Sequence, residues 1–317
     1  MQSIVRTSPN IALIKYWGKR NTIKNLPAVD SISITLDNLW TEMNVMFSSE
    51  LSNDELFINE KKQNNITRVK NCIDSICGEQ RDYASIMSRC NFPISAGLAS
   101  SSSSFSALVV AINSLMKKKW NTQLLANQAG SVSGSAARSI LGGIVKLNNE
   151  PEKIRITQLL SPNDWPLRVV IAITDKKEKA ISSSKAMKLS ADTSPFYSSW
   201  VEGQNDDIKE ANSFISKKDF EGLASISEHN CMKMHSIMWT TRPSIVYWNA
   251  TTIDCMQAIR DLQRNGESVF FTIDAGPQIK AICLPENEEK IAKKLNEIKG
   301  VQSIMTSGLG SGPIIEK

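Results

Sequence analysis

The sequence predicts an α+β fold of two domains. Segments with the apolar pattern of β-strands come first along the chain, segments with helical periodicity follow, and both kinds recur. This order fits an α+β chain better than the regular alternation of a βαβ fold. Residues 159–168 hold two prolines and an Asn-Asp pair, which are typical of a connection between domains. We therefore expect an N-terminal domain over residues 1–165 and a C-terminal domain over residues 166–317.

Short apolar or alternating runs predict the strands, and apolar residues spaced three or four apart predict the helices. In chain order, the strand-like runs cover residues 10–17, 31–39, 41–49, 54–60, 84–92, 167–174 and 268–275. The helical patterns cover residues 66–76, 102–117, 124–140, 206–216, 220–238, 251–265 and 286–298. The stretch "SVFFTIDAGPQIKAICL" predicts a strand, a turn at Gly276-Pro277 and a second strand.

Composition narrows the class of protein. The chain has 317 residues, of which 41% are hydrophobic and 22% charged, as in ordinary soluble globular proteins. No apolar run reaches the roughly 20 residues of a membrane helix, and the start lacks the pattern of a signal peptide. The six cysteines form no C-x-x-C pair and are typical of reduced thiols, so we expect a cytoplasmic protein. A net charge of +5 is too mild to predict a nucleic-acid or membrane partner.

The stretch "PISAGLASSSSS", residues 93–104, places five consecutive serines directly before an apolar helical pattern. A glycine and small side chains allow a ligand to approach the backbone, and the N–H groups at a helix start attract anions. Serine hydroxyls add donors and can meet a magnesium ion held by phosphates. A single N-cap serine is the simpler explanation, but one cap needs one serine. We therefore favour a phosphate cradle, which is not a Walker A loop.

This loop resembles the P-x-x-x-G-L-x-S-S phosphate loop of the GHMP small-molecule kinase superfamily, and its G-L-A-S-S variant is similar to that of the mevalonate diphosphate decarboxylase family. Further matching segments follow in order along almost the whole chain: "NIALIKYWGKR", "LPAVDSISITL", "SGSAARS", "SSSKAMKLSADTSPF", "FTIDAGP" and "GSGP". The pair "IKYWGKR" and "DAGP" is far more specific than the loop. The resemblance implies a two-domain GHMP-kinase-like fold with the active site in the cleft between the domains.

Three residues carry the catalysis that this resemblance implies. Asp274 faces the tertiary hydroxyl of the substrate, Lys15 lies against the reacting centre, and Arg138 holds the substrate carboxylate. Taken alone, each has a plainer explanation. Lys15 suits a solvated edge strand, Arg138 a closely packed helix with an exposed arginine, and Asp274 a turn cap before Gly-Pro. If the strand at residues 10–17 continued, Lys15, Trp17 and Lys19 would share one face, with Tyr16 and Arg20 opposite.

The resemblance also assigns binding residues. Those implied for the substrate are Tyr16, Trp17, Gly18, Lys19, Arg68, Ser133, Gly134, Ser135, Ala136, Ala137, Ser183 and Ser184. Those implied for ATP are Gly97, Leu98, Ala99, Ser100, Ser101 and Ser102. Arg68 fits a helix-surface arginine equally well. Which serine meets the metal is left open, and the two histidines, His229 and His235, are interpreted as structural because they suit no metal site.

The implied reaction is the ATP-dependent and Mg²⁺-dependent decarboxylation of (R)-5-diphosphomevalonate to isopentenyl diphosphate, with release of ADP, phosphate and CO₂, by a homodimer in the mevalonate pathway. Asp30 and Ser184 depart from the family pattern and leave the phosphate end of the substrate open. The alternatives are a phosphomevalonate decarboxylase, a mevalonate-type kinase that does not decarboxylate, and a non-catalytic relative. The last would be expected to lose a catalytic residue, yet Lys15, Arg138 and Asp274 are all present.

Overall fold

Antiparallel sheets and three helices make up the first half of the chain in the computed structural model, which describes residues 2–93 and 100–316. The strands are β1 (Gln2–Thr7), β2 (Asn10–Ile14), β3 (Lys19–Asn21), β4 (Leu26–Pro27), β5 (Ser31–Thr35), β6 (Thr41–Ser48), β7 (Glu55–Ile58), β8 (Lys61–Lys62), β9 (Tyr83–Cys90), β10 (Ile144–Asn149) and β11 (Ile154–Leu160). The helices are α1 (Thr67–Cys77), α2 (Ser100–Leu115) and α3 (Thr122–Val132), followed by a 3₁₀ helix at Ala136–Ile140.

The second half packs helices against one four-stranded sheet. The strands of this sheet are β12 (Arg168–Ile173), β13 (Val269–Ile273), β14 (Ile279–Cys283) and β15 (Ser303–Ser307). The second half also contains β16 (Ile314–Glu316), which joins a sheet of the first half. Its helices are α4 (Ser183–Thr193), α5 (Tyr197–Lys217), α6 (Phe220–Trp239), α7 (Ala250–Arg264) and α8 (Glu288–Asn296), with a 3₁₀ turn at Pro285–Asn287.

Three main sheets organise these elements. The orders are β16-β1-β6-β9-β7-β8, β11-β10-β5-β2 and β13-β14-β12-β15, with β3 and β4 paired separately. The pairs are antiparallel except for β7 with β9. The chain returns at its end to the first sheet, because β16 pairs with β1. Residues of β12 and β13 also pack in one hydrophobic cluster with residues of β2 and β5. The site described below forms where β2 and β13 end.

The mixed α+β architecture predicted from the sequence is confirmed, and each predicted strand region contains an observed strand. Three boundaries were clearly wrong. The helix expected over residues 206–216 begins nine residues earlier, at Tyr197. The helix expected over residues 124–140 stops at Val132, because Ser133 adopts an extended conformation and a separate 3₁₀ helix follows. The strand expected over residues 10–17 ends at Ile14, so Lys15, Trp17 and Lys19 do not share a strand face.

Candidate active site

Lys15 is fixed where strand β2 gives way to irregular backbone. The pairing of β2 with β5 shifts register between Ala12 and Ile14, which locally bends the strand just before the lysine. The Lys15 backbone N–H donates to Asn230 Oδ1 over 2.7 Å, and its carbonyl accepts from Gln204 Nε2 over 2.8 Å. Its Nζ donates to the Ala12 carbonyl at 2.9 Å. The side chain is only 1% exposed, so its ammonium group is held inside the protein in one position.

Asp274 follows strand β13 and lies between two buried lysines. Lys15 Nζ donates to Oδ1 at 2.8 Å, and Lys280 Nζ lies 3.3 Å from Oδ2. The Asp274 side chain is 22% exposed, whereas those of Lys15 and Lys280 are 1% and 0% exposed. Burial alone would raise the pKa of Asp274, but the charges of the two lysines outweigh it and hold this pKa well below its usual range. Asp274 is therefore a carboxylate with one open side.

Arg138 is a buried cation held by neutral groups. Its Nε donates to Ser33 Oγ at 2.9 Å, one terminal nitrogen to Ser31 Oγ at 2.6 Å, and the other to Asn10 Oδ1 at 3.2 Å. The guanidinium lies 5.9 Å from the centre of the Tyr16 ring. Among residues 2–93 and 100–316, no carboxylate forms a salt bridge with it. Burial lowers the pKa of Arg138 to about 10, partly offset by the charges of Tyr16 and Asp274. Such a cation is suited to receive an anion from outside.

The backbone between β2 and β3 turns sharply and separates Tyr16 from Trp17. Tyr16 is buried, and its Oη has no hydrogen-bond partner in the part of the chain that the structure describes. Trp17 instead packs in a C-terminal cluster and donates through Nε1 to Ser190 Oγ at 3.1 Å. Gly18 has φ +98°, and a Cβ there would lie 2.1 Å from Tyr197 Oη, so only glycine fits. Trp17 and Gly18 thus shape the loop.

The predicted stretch "SGSAARS" connects α3 to the site. Ser133 Oγ lies 3.4 Å from Ser101 Oγ and 3.5 Å from Ser135 Oγ, so the two serine-rich segments meet. A Cβ on Gly134 would lie 2.2 Å from Tyr16 Oη, so glycine is needed for this approach. Ala136 and Ala137 are fully buried and contribute packing.

The serine run divides into two parts. Ser100 and Ser101 are half-buried at the start of α2, while Ser102 and Ser103 are fully buried. Asn10 N donates to Ser102 Oγ at 3.4 Å, and Ser103 Oγ lies 2.7 Å from Thr41 Oγ1. Several serines therefore attach α2 to the strands beside it, which the sequence did not indicate. Gly97, Leu98 and Ala99, predicted to bind ATP, lie outside the described residues.

A second group of cations lies where the start of β3 meets the start of α4, which we call the β3–α4 side. Lys19 Nζ donates to Ser184 Oγ at 2.9 Å, and burial together with the charge of Arg68 lowers the pKa of Lys19. Arg68 donates to the Val132 carbonyl at 2.9 Å, with its guanidinium 4.6 Å from the Phe105 ring centre. Lys19, Arg68 and Ser184 therefore come together around one region although they are far apart in sequence.

Lys179 lies between this region and Asp274. Its Nζ donates to Ser183 Oγ at 2.8 Å and to the Ala275 carbonyl at 3.2 Å. Burial lowers the pKa of Lys179, and the charge of Asp274 raises it. This lysine could not be selected from the sequence, because it lies in a charged stretch, "DKKEKA", that is typical of a solvated loop.

The arrangement is chemically an anion-binding site built around one ionised carboxylate. Lys15, Lys280 and Arg138 are buried, and among the described residues Asp274 is the carboxylate that interacts with all three cations. An excess of buried positive charge is costly unless an anion joins it. Asp274 can in turn accept a hydrogen bond from a hydroxyl of that ligand.

Five contributors were missed by sequence reasoning: Lys179, Lys280, and the residues that hold Arg138, which are Asn10, Ser31 and Ser33. The three polar side chains looked like ordinary strand residues. Lys280 did carry a signal, since it is the only charged residue in the apolar strand "IKAIC".

The histidines lie apart from any cluster of metal ligands. His235 is fully buried, its ring stacks on Trp248 at 4.5 Å, and its Nε2 lies 3.2 Å from the Ile273 carbonyl. Within the described part of the chain, no group of three or more His, Cys, Asp or Glu side chains is arranged to hold a metal ion. In that same part, no helix is both long enough and apolar enough to cross a membrane.

Two family models match the two halves of the chain. One, described as "Diphosphomevalonate decarboxylase-like N-terminal domain", matches residues 7–155. The other, described as "Mevalonate 5-diphosphate decarboxylase C-terminal domain", matches residues 169–315.

Relatives and solved structures match over nearly the full length. Diphosphomevalonate decarboxylase of Saccharomyces cerevisiae is 32% identical and covers 90% of this chain and 78% of its own. Mevalonate diphosphate decarboxylase from Staphylococcus aureus superposes with a TM-score of 0.93 and 30% identity, covering 100% of this chain and 98% of that one. MDDEF in complex with MVAPP, AMPPCP and magnesium also has a TM-score of 0.93, with 31% identity over 100% and 99% of the two chains.

Proposed function

The chain belongs to the diphosphomevalonate decarboxylase family, and we propose that Asp274, Lys15 and Arg138 are the residues with which it performs that reaction. The enzyme converts (R)-5-diphosphomevalonate and ATP to isopentenyl diphosphate, ADP, phosphate and CO₂. The observation that supports the assignment best is the ionised Asp274 carboxylate, clamped by buried lysines beside the buried cation Arg138.

The first step converts the tertiary C3 hydroxyl of the substrate into a better leaving group. Hydroxide is a poor leaving group, so ATP phosphorylates the C3 hydroxyl of the substrate. The open side of Asp274 accepts the hydrogen bond of this hydroxyl and aims its oxygen at the γ-phosphate. Because its pKa is held far below neutrality, Asp274 is ionised and orients the hydroxyl, and it takes up the hydroxyl proton only as the bond to the γ-phosphate forms. Positioned carboxylates of this kind contribute about 10²–10⁴-fold in rate.

In the second step the phosphorylated substrate loses phosphate and CO₂. When the C3–O bond breaks, cationic character develops at C3 and is quenched by the electrons of the bond to the carboxylate, which departs as CO₂. Arg138 offers a planar pair of donors that matches this carboxylate, and Lys15 adds a second charge. The neutral partners of Arg138 leave its charge available for the substrate.

We assign the diphosphate end of the substrate to the cations on the β3–α4 side. Lys19, Arg68 and Ser184 converge there. Burial, together with the charge of Arg68, lowers the pKa of Lys19, and a bound anion would favour its charged form. Ser133, Ser135 and Ser183 supply further hydroxyl donors between this region and Asp274. Tyr16, whose Oη has no partner in the described part of the chain, offers one more donor.

ATP is the co-substrate, and we assign its phosphates to the loop and helix start that include Ser100, Ser101 and Ser102. The MDDEF structure with AMPPCP and magnesium supports this pairing of nucleotide and metal. Serine hydroxyls suit Mg²⁺, which keeps most of its ligands from phosphate and water, and the described residues offer no acidic cluster that would compete. When bound, Mg²⁺ neutralises phosphate charge, and the protein supplies position and the remaining electrostatic stabilisation.

We also propose a domain boundary at residues 165–166, a homodimer and a cytoplasmic location. The boundary is supported by the gap between the two family matches and by the start of β12 at Arg168. Six free cysteines are consistent with a reducing compartment. Sedimentation of the purified chain at micromolar concentration tests the dimer.

The test of function is release of CO₂ from carboxyl-labelled substrate with ATP and Mg²⁺. We expect release from 5-diphosphomevalonate in a 1:1 ratio to ADP, and at most slow release from 5-phosphomevalonate. ATP consumption without CO₂ release would contradict the proposal, and so would preference for the monophosphate.

A further inference from the structure

We propose that Lys280 is a positioning residue that holds the second oxygen of Asp274 and so fixes the orientation and ionisation of the catalytic carboxylate. This inference rests on the role of Asp274 proposed above. It adds a residue that lies in the centre of a sheet rather than in a loop of the site.

The location of Lys280 is unusual for a lysine. It lies in β14, opposite Thr272 of β13 on one side and Ile171 of β12 on the other. Its strand neighbours Ile279 and Ala281 are fully buried, and Lys280 itself is 0% exposed. A lysine in such a place loses its hydration and rotamer freedom, and a leucine or valine would fill the strand at lower free energy. The ion pair with Asp274, at 3.3 Å, helps to offset this cost.

The geometry gives Asp274 two anchors, one for each oxygen. Lys15 Nζ lies 2.8 Å from Oδ1, and Lys280 Nζ lies 3.3 Å from Oδ2. A single contact would let the carboxylate rotate about its Cβ–Cγ bond, whereas two contacts, one from the segment after β2 and one from β14, restrict its plane. The exposed part of the side chain, which is 22%, is then held in one orientation, and aiming a substrate hydroxyl requires such an orientation.

The two lysines also act on one another through Asp274. Burial lowers the pKa of Lys280, the charge of Asp274 raises it, and the charge of Lys15 lowers it again. The other groups that face Lys280 are Cys231 and His235 from α6, with Lys179 interacting from the segment before α4. His235 is neutral above pH 5, because burial lowers its pKa to about 3, and burial raises the pKa of the Cys231 thiol. Lys280 is thus the residue of the sheet whose charge acts directly on Asp274.

The test compares Lys280→Met with Lys280→Arg, and uses Lys290→Met as a matched control on the exposed start of α8. Methionine keeps the length of the side chain and removes its charge, whereas arginine keeps the charge. We expect Lys280→Met to lower kcat at pH 7.5 by about tenfold or more, with the KM of each substrate changed less than threefold. Lys280→Arg should recover at least threefold over Lys280→Met, and Lys290→Met should match the wild type.

The pH profile of kcat separates an electrostatic role from a packing role. In the wild type, kcat falls on the alkaline side as Lys280 loses its proton. Methionine at position 280 does not titrate. In Lys280→Met the alkaline fall of kcat therefore moves to higher pH, where the deprotonation of other groups such as Lys179 and Arg138 determines it. A folded Lys280→Met enzyme with an unchanged profile, or with kcat within twofold of the wild type, would overturn the inference. Equal activities of the Met and Arg variants would overturn it as well.

Two further measurements keep the result interpretable. Circular dichroism shows whether Lys280→Met folds, and Lys280→Gln replaces it in the same comparison if it does not. Asp274→Asn is measured alongside. If that variant keeps full turnover, the proposed function fails. If it is inactive while the Lys280 variants behave as the wild type, only the present inference fails.

Discussion

At the scale of single residues, the site depends on charges that the protein alone leaves unbalanced. Arg138 is buried among Asn10, Ser31 and Ser33, which satisfy its N–H groups without neutralising its charge. Asp274, in contrast, is surrounded by more positive charge than it can neutralise. A substrate that carries a carboxylate and a diphosphate corrects both imbalances, which explains why these residues are retained in a buried position.

Replacement of Arg138 by lysine tests whether the planar pair of guanidinium donors is needed to hold the substrate carboxylate. Lysine keeps the charge but offers no planar pair of donors, so the substrate carboxylate loses one hydrogen bond and its orientation. We expect kcat/KM for diphosphomevalonate to fall by about 10²-fold, and the KM for ATP to stay within threefold. Steady-state assays with each substrate varied in turn measure this. Arg264→Lys, on the exposed end of α7, is the control. An unchanged kcat/KM in Arg138→Lys would contradict the assigned role.

Sequence reasoning selected Lys15, Arg138 and Asp274, and the structure brings them together although they are 259 positions apart at the extremes. It did so through family motifs rather than through residue chemistry, because each residue alone had a plainer explanation. Lys280 belongs to no motif that was considered. Its role depends on a strand register that only the folded sheet reveals.

At the scale of elements, helix α6 supports the site from behind. Asn230 accepts from the Lys15 backbone, and Cys231 Sγ accepts from the Ile273 N–H at 3.2 Å. One turn further on, His235 Nε2 lies beside the Ile273 carbonyl. One face of α6 therefore fixes the ends of both strands that carry the catalytic residues.

His235 makes stability depend on pH. Its pKa is lowered from 6.5 to about 3 by burial, so between these values the unfolded chain binds a proton that the folded chain does not. The free energy of unfolding is therefore highest above pH 6.5 and falls as the pH drops. We expect His235 to account for a loss of about 1.5 kcal/mol between pH 6.5 and 5. Urea denaturation at several pH values measures it.

The control for this measurement is the other histidine. His235→Gln should have a flatter dependence of unfolding free energy on pH over this interval, whereas His229→Gln, which changes an exposed residue, should follow the wild type. Equal slopes for the wild type and His235→Gln would contradict the argument.

Elements were predicted well where periodicity is regular and poorly where the site interrupts it. The helices α6 and α7 were expected within one residue of their observed bounds. The segments at residues 15–18 and 133–135 were expected to continue a strand and a helix, but both break. A close approach accompanies each break: Tyr197 lies against Gly18, and Tyr16 against Gly134. These contacts join distant segments and leave no local trace in the sequence.

At the scale of the whole molecule, the two halves share a hydrophobic cluster. Ile11, Ile32 and Ile34 of the first half pack in one cluster with Val169 and Phe270 of the second. Strand β16 also returns to the first half and pairs with β1. A boundary defined by sequence therefore does not separate two independent cores.

This sharing predicts that the chain unfolds as one unit despite its two domains. Tryptophan fluorescence and far-ultraviolet circular dichroism should give coincident urea transitions, because the shared cluster cannot be exposed in one half alone. The protein without ligands at constant pH is the appropriate sample. Two resolved transitions, or midpoints that differ between the probes, would contradict a shared core.

If turnover depends on the Asp274 carboxylate, Asp274→Asn should abolish most of it. The variant is measured for CO₂ release from diphosphomevalonate with ATP and Mg²⁺, beside Asp261→Asn on the exposed surface of α7. We predict that Asp274→Asn lowers kcat by about 10³-fold, within the range for a positioned carboxylate, while Asp261→Asn matches the wild type. Turnover of Asp274→Asn at the wild-type rate would contradict the account.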